Sequence, residues 1–136
     1  MENQNKTTLA HYWIKKAKRS AEAAARELHS NNEDFCANRL YYAAFYAVSA
    51  ALITKGLVFK KHSAVKAAFH KEFIKNDIIP QKYGALYNKL LRDREDAVYI
   101  AFVLFEQDVL KQEIEDVTEL IKLMGEYICS YGEENS

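Results

Sequence analysis

Arg94 is the residue least at home among its sequence neighbours. It stands in the stripe Tyr87, Leu91 and Val98 at helical spacing, where an apolar side chain is expected. A guanidinium buried without a partner is costly. Arg94 is therefore either held in a structural salt bridge, with Glu95, Asp96 or an acid elsewhere, or it lines a groove that receives a phosphate or nucleotide. Arg39 poses the same choice. It shares a helical face with Tyr42 and Tyr46, three and seven residues on. An Arg and tyrosine hydroxyls on one ridge can grip a phosphate or stack a base. The plainer reading makes the tyrosines core rings with hydroxyls at a rim, and Arg39 a surface charge. His62 stands just before an expected helix start at Ser63. There it either joins backbone N–H groups in holding an anion or packs by a hydrogen bond.

Other chemistries find little to work with. His11, His29 and His70 show no paired ligand spacing, so no metal is expected. Cys36 and Cys129 lie far apart without a C-x-x-C, so both are expected to be buried reduced thiols rather than a disulfide or metal ligands. No G-x-S-x-G, Gly-rich phosphate loop or H-E-x-x-H occurs, and no cofactor is implied. Charges interrupt every apolar stretch and the first eight residues are polar, so no membrane span or signal segment is expected, and a cytoplasmic location is. The net charge is zero but uneven. Residues 1–105 carry 17 Lys/Arg against 10 Asp/Glu, and residues 106–136 carry 2 against 9. The first part could face a polyanion while the last could not, unless the acidic segment packs beside basic neighbours within the fold.

The elements that position these residues read as helices. With 136 residues, 4 Gly and 1 Pro, the chain suits one domain with few loops. The pattern predicts a bundle over residues 9–130, with residues 1–8 and 131–136 as flexible polar ends. Leu9, Trp13, Ala17, Ala21, Ala24 and Leu28 mark a first helix. A second runs from about Asp34 to Gly56 and is apolar nearly all round between Leu40 and Ile53, as a central helix must be. Its stripe of Tyr42, Tyr46, Ser49 and Ile53 has Ser49 as its only small polar member. Ser63 is the expected N-cap of a third helix, Ala64 to about Lys75, with Val65, Phe69 and Phe73 on its core face. A fourth covers about Tyr83 to Tyr99. A fifth, about Gln107 to Ser130, has the seam Leu110, Ile114, Val117, Ile121, Met124 and Ile128. Ile100 to Phe105 is either a buried connection or a continuation of a neighbouring helix. The fold class is all-α, an up-and-down bundle of four to five helices.

Several runs together carry a family resemblance. Asn38-Arg39-Leu40-Tyr41-Tyr42-Ala43-Ala44-Phe45-Tyr46-Ala47 resembles the R-x-YYA-x-F-[HY]-A helix of the HEPN domain family. Lys61-His62-Ser63-Ala64-Val65 resembles its KHS-x-V turn, and Phe69 with Glu72-Phe73-Ile74 its following helix. Leu91 to Tyr99 resembles the R-x-x-A-[DV]-Y end of the fourth helix, and Trp13 in an Ala-rich first helix also agrees. The resemblance implies a four- to five-helix bundle, commonly a homodimer, often paired with a minimal nucleotidyltransferase. Catalytic members are metal-independent RNases in which an R-x4-6-H motif lets Arg hold phosphate while His moves protons at the ribose 2′-OH. No Arg here has that His: the fifth residue after Arg94 is Tyr99, and the fifth after Arg92 is Ala97.

The expected function is therefore binding of a nucleotide, RNA or a nucleotidyltransferase partner through a groove of Arg39, Tyr42, His62, Arg94 and Tyr99, with Tyr46 on the same ridge, and without the standard RNase site. The alternatives are a toxin-type metal-independent RNase of a toxin–antitoxin system with a nonstandard constellation, and a structural interaction bundle.

Overall fold

The computed structural model describes residues 2–100 and 104–135, and all its regular structure is helical. The helices are α1 (Glu2–His29), α2 (Glu33–Thr54), α3 (His62–Phe69), α4 (Gln81–Tyr99) and α5 (Gln107–Asn135), with a π-helical turn, His70–Ile74, continuing α3. The architecture is the expected all-α bundle. Helix α1 begins before Leu9 and α5 runs past Ser130, so residues 2–8 and 131–135 are helical where the sequence suggests polar ends.

Helix α2 is the centre, touching α1, α3, α4 and α5. Its apolar circumference is the reason: Leu40, Tyr41, Ala43, Ala44, Ala47, Val48, Ala50 and Ala51 are all buried, on more than one face. Small residues on both helices, with Ala10, Ala17, Ala21 and Ala24 on α1, bring α1 close to α2. The α1–α2 turn closes through Asn31 at a positive φ of 63°. Gln107, at the start of α5, donates from Nε2 to Asn31 Oδ1 and Glu33 Oε1, so α5 starts where α1 ends and the two run antiparallel. Gly56 stops α2 as expected. At a φ of 76° its N–H bonds Ile53 O while Leu57 N–H bonds Leu52 O, the paired closure that favours glycine.

Two boundary expectations change. Ser63 is not the N-cap of α3; Lys61 holds that place in extended conformation, and its carbonyl accepts the Val65 N–H. His62 is thus the first helical residue rather than a loop residue. The stretch to Lys75 is not one α-helix either. It widens into the π turn, which still buries Phe73 and Ile74 and lays the His70 ring over Gly84 of α4. A Cβ at Gly84 would meet the His70 ring at 2.9 Å, so only glycine allows this approach. In the connection from Ile100 to Phe105, residues 101–103 lie outside the described residues. Ile100 and Leu104 beside them are exposed, not buried.

Candidate functional site

The Arg94 side chain reaches from α4 to α2. It is half-buried near the end of α4, yet among the described residues it forms no salt bridge with Glu95, Asp96 or any other acid. Its Nη2 donates to the Tyr42 hydroxyl at 3.1 Å, its guanidinium lies 5.6 Å from the Tyr42 ring and 5.8 Å from the Tyr41 ring, and its buried Nε has no hydrogen-bond partner. Two aromatic faces supply modest electrostatic compensation for a cation. They do not neutralise it.

His62 meets the same two rings from α3. Its Nδ1 and the Tyr41 hydroxyl are hydrogen-bonded at 2.5 Å, and its ring stacks on Phe45 with centroids 4.7 Å apart. The Tyr42 ring stands edge-on to it at 6.0 Å. Burial, then the Arg94 charge, hold the His62 imidazole below its ordinary value of 6.5, so it is neutral at pH 7. Burial pushes the Tyr41 phenol up to about 12, so it keeps its proton. Tyr41 in turn packs edge-on to Tyr87, whose hydroxyl is pushed further up by burial and by Tyr41. Three helices therefore deliver one cluster: Tyr41, Tyr42 and Phe45 from α2, His62 from α3 and Arg94 from α4.

The His62 shift has a consequence for stability. Between its lowered folded value and 6.5 the unfolded chain binds more protons than the folded one. Stability from this residue is therefore complete above pH 6.5 and declines on acidification until the pH falls below the folded value. In urea unfolding, the midpoint of the wild type should drop more on acidification than that of His62→Gln. Parallel curves would show that His62 does not titrate in this environment.

The other expected site residues divide. Tyr46 joins the cluster through Tyr42, with ring centroids 5.8 Å apart, and packs against Trp13 of α1 at 5.4 Å with Lys16 Nζ 4.8 Å from its ring. Arg39 is exposed one turn before Tyr42, and its carbonyl accepts a hydrogen bond from Ser20 Oγ at 2.8 Å. Tyr99 is 78% exposed and no contact joins it to the cluster among the described residues. Neither stands in the Arg94 groove. No group of metal-ligating side chains forms among the described residues, and none of their helices is long and apolar enough to cross a membrane. Cys36 is buried, its thiol pushed up to about 12 chiefly by burial, and Cys129 is a free thiol, exposed rather than buried as expected.

Sequence reasoning overlooked Tyr41 and Phe45, which read as plain core positions. It also overlooked an ionic cluster one turn before Arg94. Lys89 Nζ bridges Asp93 at 2.6 Å and Glu113 of α5 at 3.0 Å, with Glu113 only 5% exposed. The signal was present: Glu113 stands in the spacing Leu110, Glu113, Val117, Leu120, Met124, a polar residue in an apolar stripe.

Comparison with known proteins agrees with the motifs. A "UPF0332 protein" of Thermotoga maritima is 38% identical over 106 residues, covering 78% of this chain and 80% of its own length. A protein of Methanocaldococcus jannaschii named "Putative toxin MJ0142" is 37% identical over 102 residues, 75% of this chain and 67% of its own. The HEPN domain model matches residues 10–128, the whole bundle that assembles the Arg94 cluster, and the chain belongs to the HEPN domain family.

Proposed function

We propose that this protein binds the phosphate of an RNA strand or nucleotide at the cluster of Arg94, Tyr42 and His62. Arg94 carries the reading. A half-buried guanidinium with no carboxylate within 4.0 Å among the described residues is a cation short of an anion. A structural arginine of this burial is normally paired, because desolvation without a counter-charge is costly. A phosphate supplies both charge and acceptor oxygens, and arginine suits it in geometry. His62, with no partner described for Nε2, can donate a hydrogen bond from the same wall.

A labelled single-stranded oligoribonucleotide titrated into the protein should bind with an affinity that falls as salt rises, since phosphate contacts release counterions. Binding should strengthen on acidification below the ordinary histidine range. Protonated His62 adds a second positive charge, and a bound phosphate favours that protonation. Absence of binding at low salt would defeat the proposal.

One observation favours a second reading, strand cleavage. His62 stands thirty-two residues before Arg94 in sequence but meets the same tyrosine rings in space. It is a neutral imidazole fixed through Nδ1 by a phenol. In the tautomer whose Nδ1–H donates to the Tyr41 oxygen, Nε2 can take the 2′-hydroxyl proton as the 2′-oxygen attacks phosphorus; the P–O5′ bond breaks, the departing 5′-oxygen receives the proton from the imidazolium, and Arg94 holds the phosphate. The relative named as a toxin is compatible with that outcome. Cleavage in the presence of a chelator, lost in His62→Ala, would establish it; intact RNA after prolonged incubation leaves binding as the function.

A further inference from the structure

A small cavity shares Phe45 with the His62 stack. It has a volume of roughly 200 Å³ and is walled by Trp13, Phe45, Ser49, Val58, Phe59 and Val65. It is too small for a drug-sized ligand, whose pockets run about 300–1,000 Å³. One flat ring system fits, and a base pair does not. The walls suit such a guest, with aromatic rings from α1, from α2 and from the loop before α3. Two polar side-chain groups stand among them, the Trp13 indole N–H and the Ser49 hydroxyl. The Thr54 and Thr118 hydroxyls bond back to carbonyls of their own helices, at 2.6 and 2.7 Å, but among the described residues no such bond engages Ser49. Its hydroxyl is left to offer a donor or acceptor to whatever enters.

The surroundings indicate what the guest carries. Phe45 is the shared wall, lining the cavity and stacking at 4.7 Å on His62. The exposed Lys60 and Lys61 follow Phe59 directly, and Lys16 Nζ lies 5.0 Å from the Trp13 ring centroid. Cations around an aromatic cavity, one ring away from the histidine of the Arg94 cluster, are the arrangement by which single strands are held.

We propose that this cavity receives an unpaired base of an RNA strand whose phosphate lies at Arg94 and His62. The inference rests on the phosphate reading above and adds selectivity to it. A duplex cannot present a base here without unpairing, so the protein takes single strands or frayed and looped segments. The Ser49 hydroxyl and the Trp13 indole N–H are the side-chain groups of the wall equipped to distinguish bases by hydrogen bonding.

Trp13 is the chain's only tryptophan, so its fluorescence reports from the cavity wall. Three probes separate the contributions: a short single-stranded oligoribonucleotide, the same sequence as a blunt duplex, and inorganic phosphate. The single strand should change Trp13 emission saturably, and the other two should not. Ser49→Leu fills the cavity and should weaken strand binding about tenfold, the scale of one lost base stack. Phe59→Ala, in the exposed loop, should weaken it similarly and serves if Ser49→Leu fails to fold. Phosphate binding should be unchanged in both variants. Unchanged strand affinity in the folded variants, or equal emission changes with duplex and single strand, overturns the cavity proposal. Loss on Ser49→Leu without loss on Arg94→Ala keeps the cavity and overturns the phosphate site.

Discussion

Arg94→Ala should weaken binding of a single-stranded oligoribonucleotide by roughly thirty- to a hundredfold, about 2–3 kcal/mol, the scale of a charge-assisted hydrogen-bonded contact. The fold should tolerate the change. Arg94 contributes one hydrogen bond to Tyr42 and contacts with two rings, and no salt bridge among the described residues is broken by its removal. Removing a desolvated cation that lacks a carboxylate also relieves a cost, so the melting temperature should stay close to that of the wild type. Arg94→Lys should fall between, since an ammonium keeps the charge but loses the planar fork and most of the ring stacking. Isothermal titration with matched thermal melts checks both halves. A structural arginine would give the reverse pattern, with large destabilisation and unchanged affinity in the surviving folded fraction.

Lys89→Ala should be the most destabilising charge substitution in the described bundle, by about 2–3 kcal/mol. Breaking a buried ion pair strands the remaining charge, which costs more than the pair contributes. Glu113 is that remaining charge: it is 5% exposed, its Oε1 is unpaired, and desolvation already raises its carboxyl above the ordinary value against the opposing pull of Lys89. The figure sits at the low end of the buried-pair range because the Lys89 side chain is 42% exposed. Protonation of Glu113 also limits the penalty. A carboxyl whose folded value is raised binds more protons folded than unfolded, so its cost is absent below about 4.5 and grows as pH rises through the folded value. The Lys89→Ala deficit should therefore be larger at neutral than at acid pH. Glu113→Gln should recover most of it. Equal losses at both pH values, or no rescue, would contradict the assignment of the cost to a stranded carboxylate. This ion pair also fastens α4, the helix bearing Arg94, to α5, where contact between the two is otherwise slight.

The bundle was legible because burial imposes a period that sequence displays. Leu110, Val117, Ile121, Met124 and Ile128 are buried where the seam of α5 placed them, and Gly56 ends α2 as read. Arg94 was legible for the converse reason, as a charge where the period demands an apolar group. His62 was expected in the same groove as Arg94, although helical periodicity by itself does not link them. A search for histidine a few residues after an arginine follows one helix, whereas the bundle brings α3 and α4 together around α2. Tyr41 was hidden by its ring, which satisfies the apolar stripe while its hydroxyl reaches across to His62. Arg39 and Tyr99 stand apart from the cluster. Each lies in a suggestive motif, but helical phase turns Arg39 outward and α4 leaves Tyr99 exposed at its end.

The most direct test of the phosphate site is an NMR titration of side-chain signals with a short single-stranded oligoribonucleotide. The account predicts that the His62 ring signals and the Arg94 Nε–H signal shift together and saturate at one ligand concentration, while the ring signals of the exposed His29 stay in place. Shifts confined to residues outside Tyr42, His62 and Arg94, with those three unmoved at saturation, would contradict it.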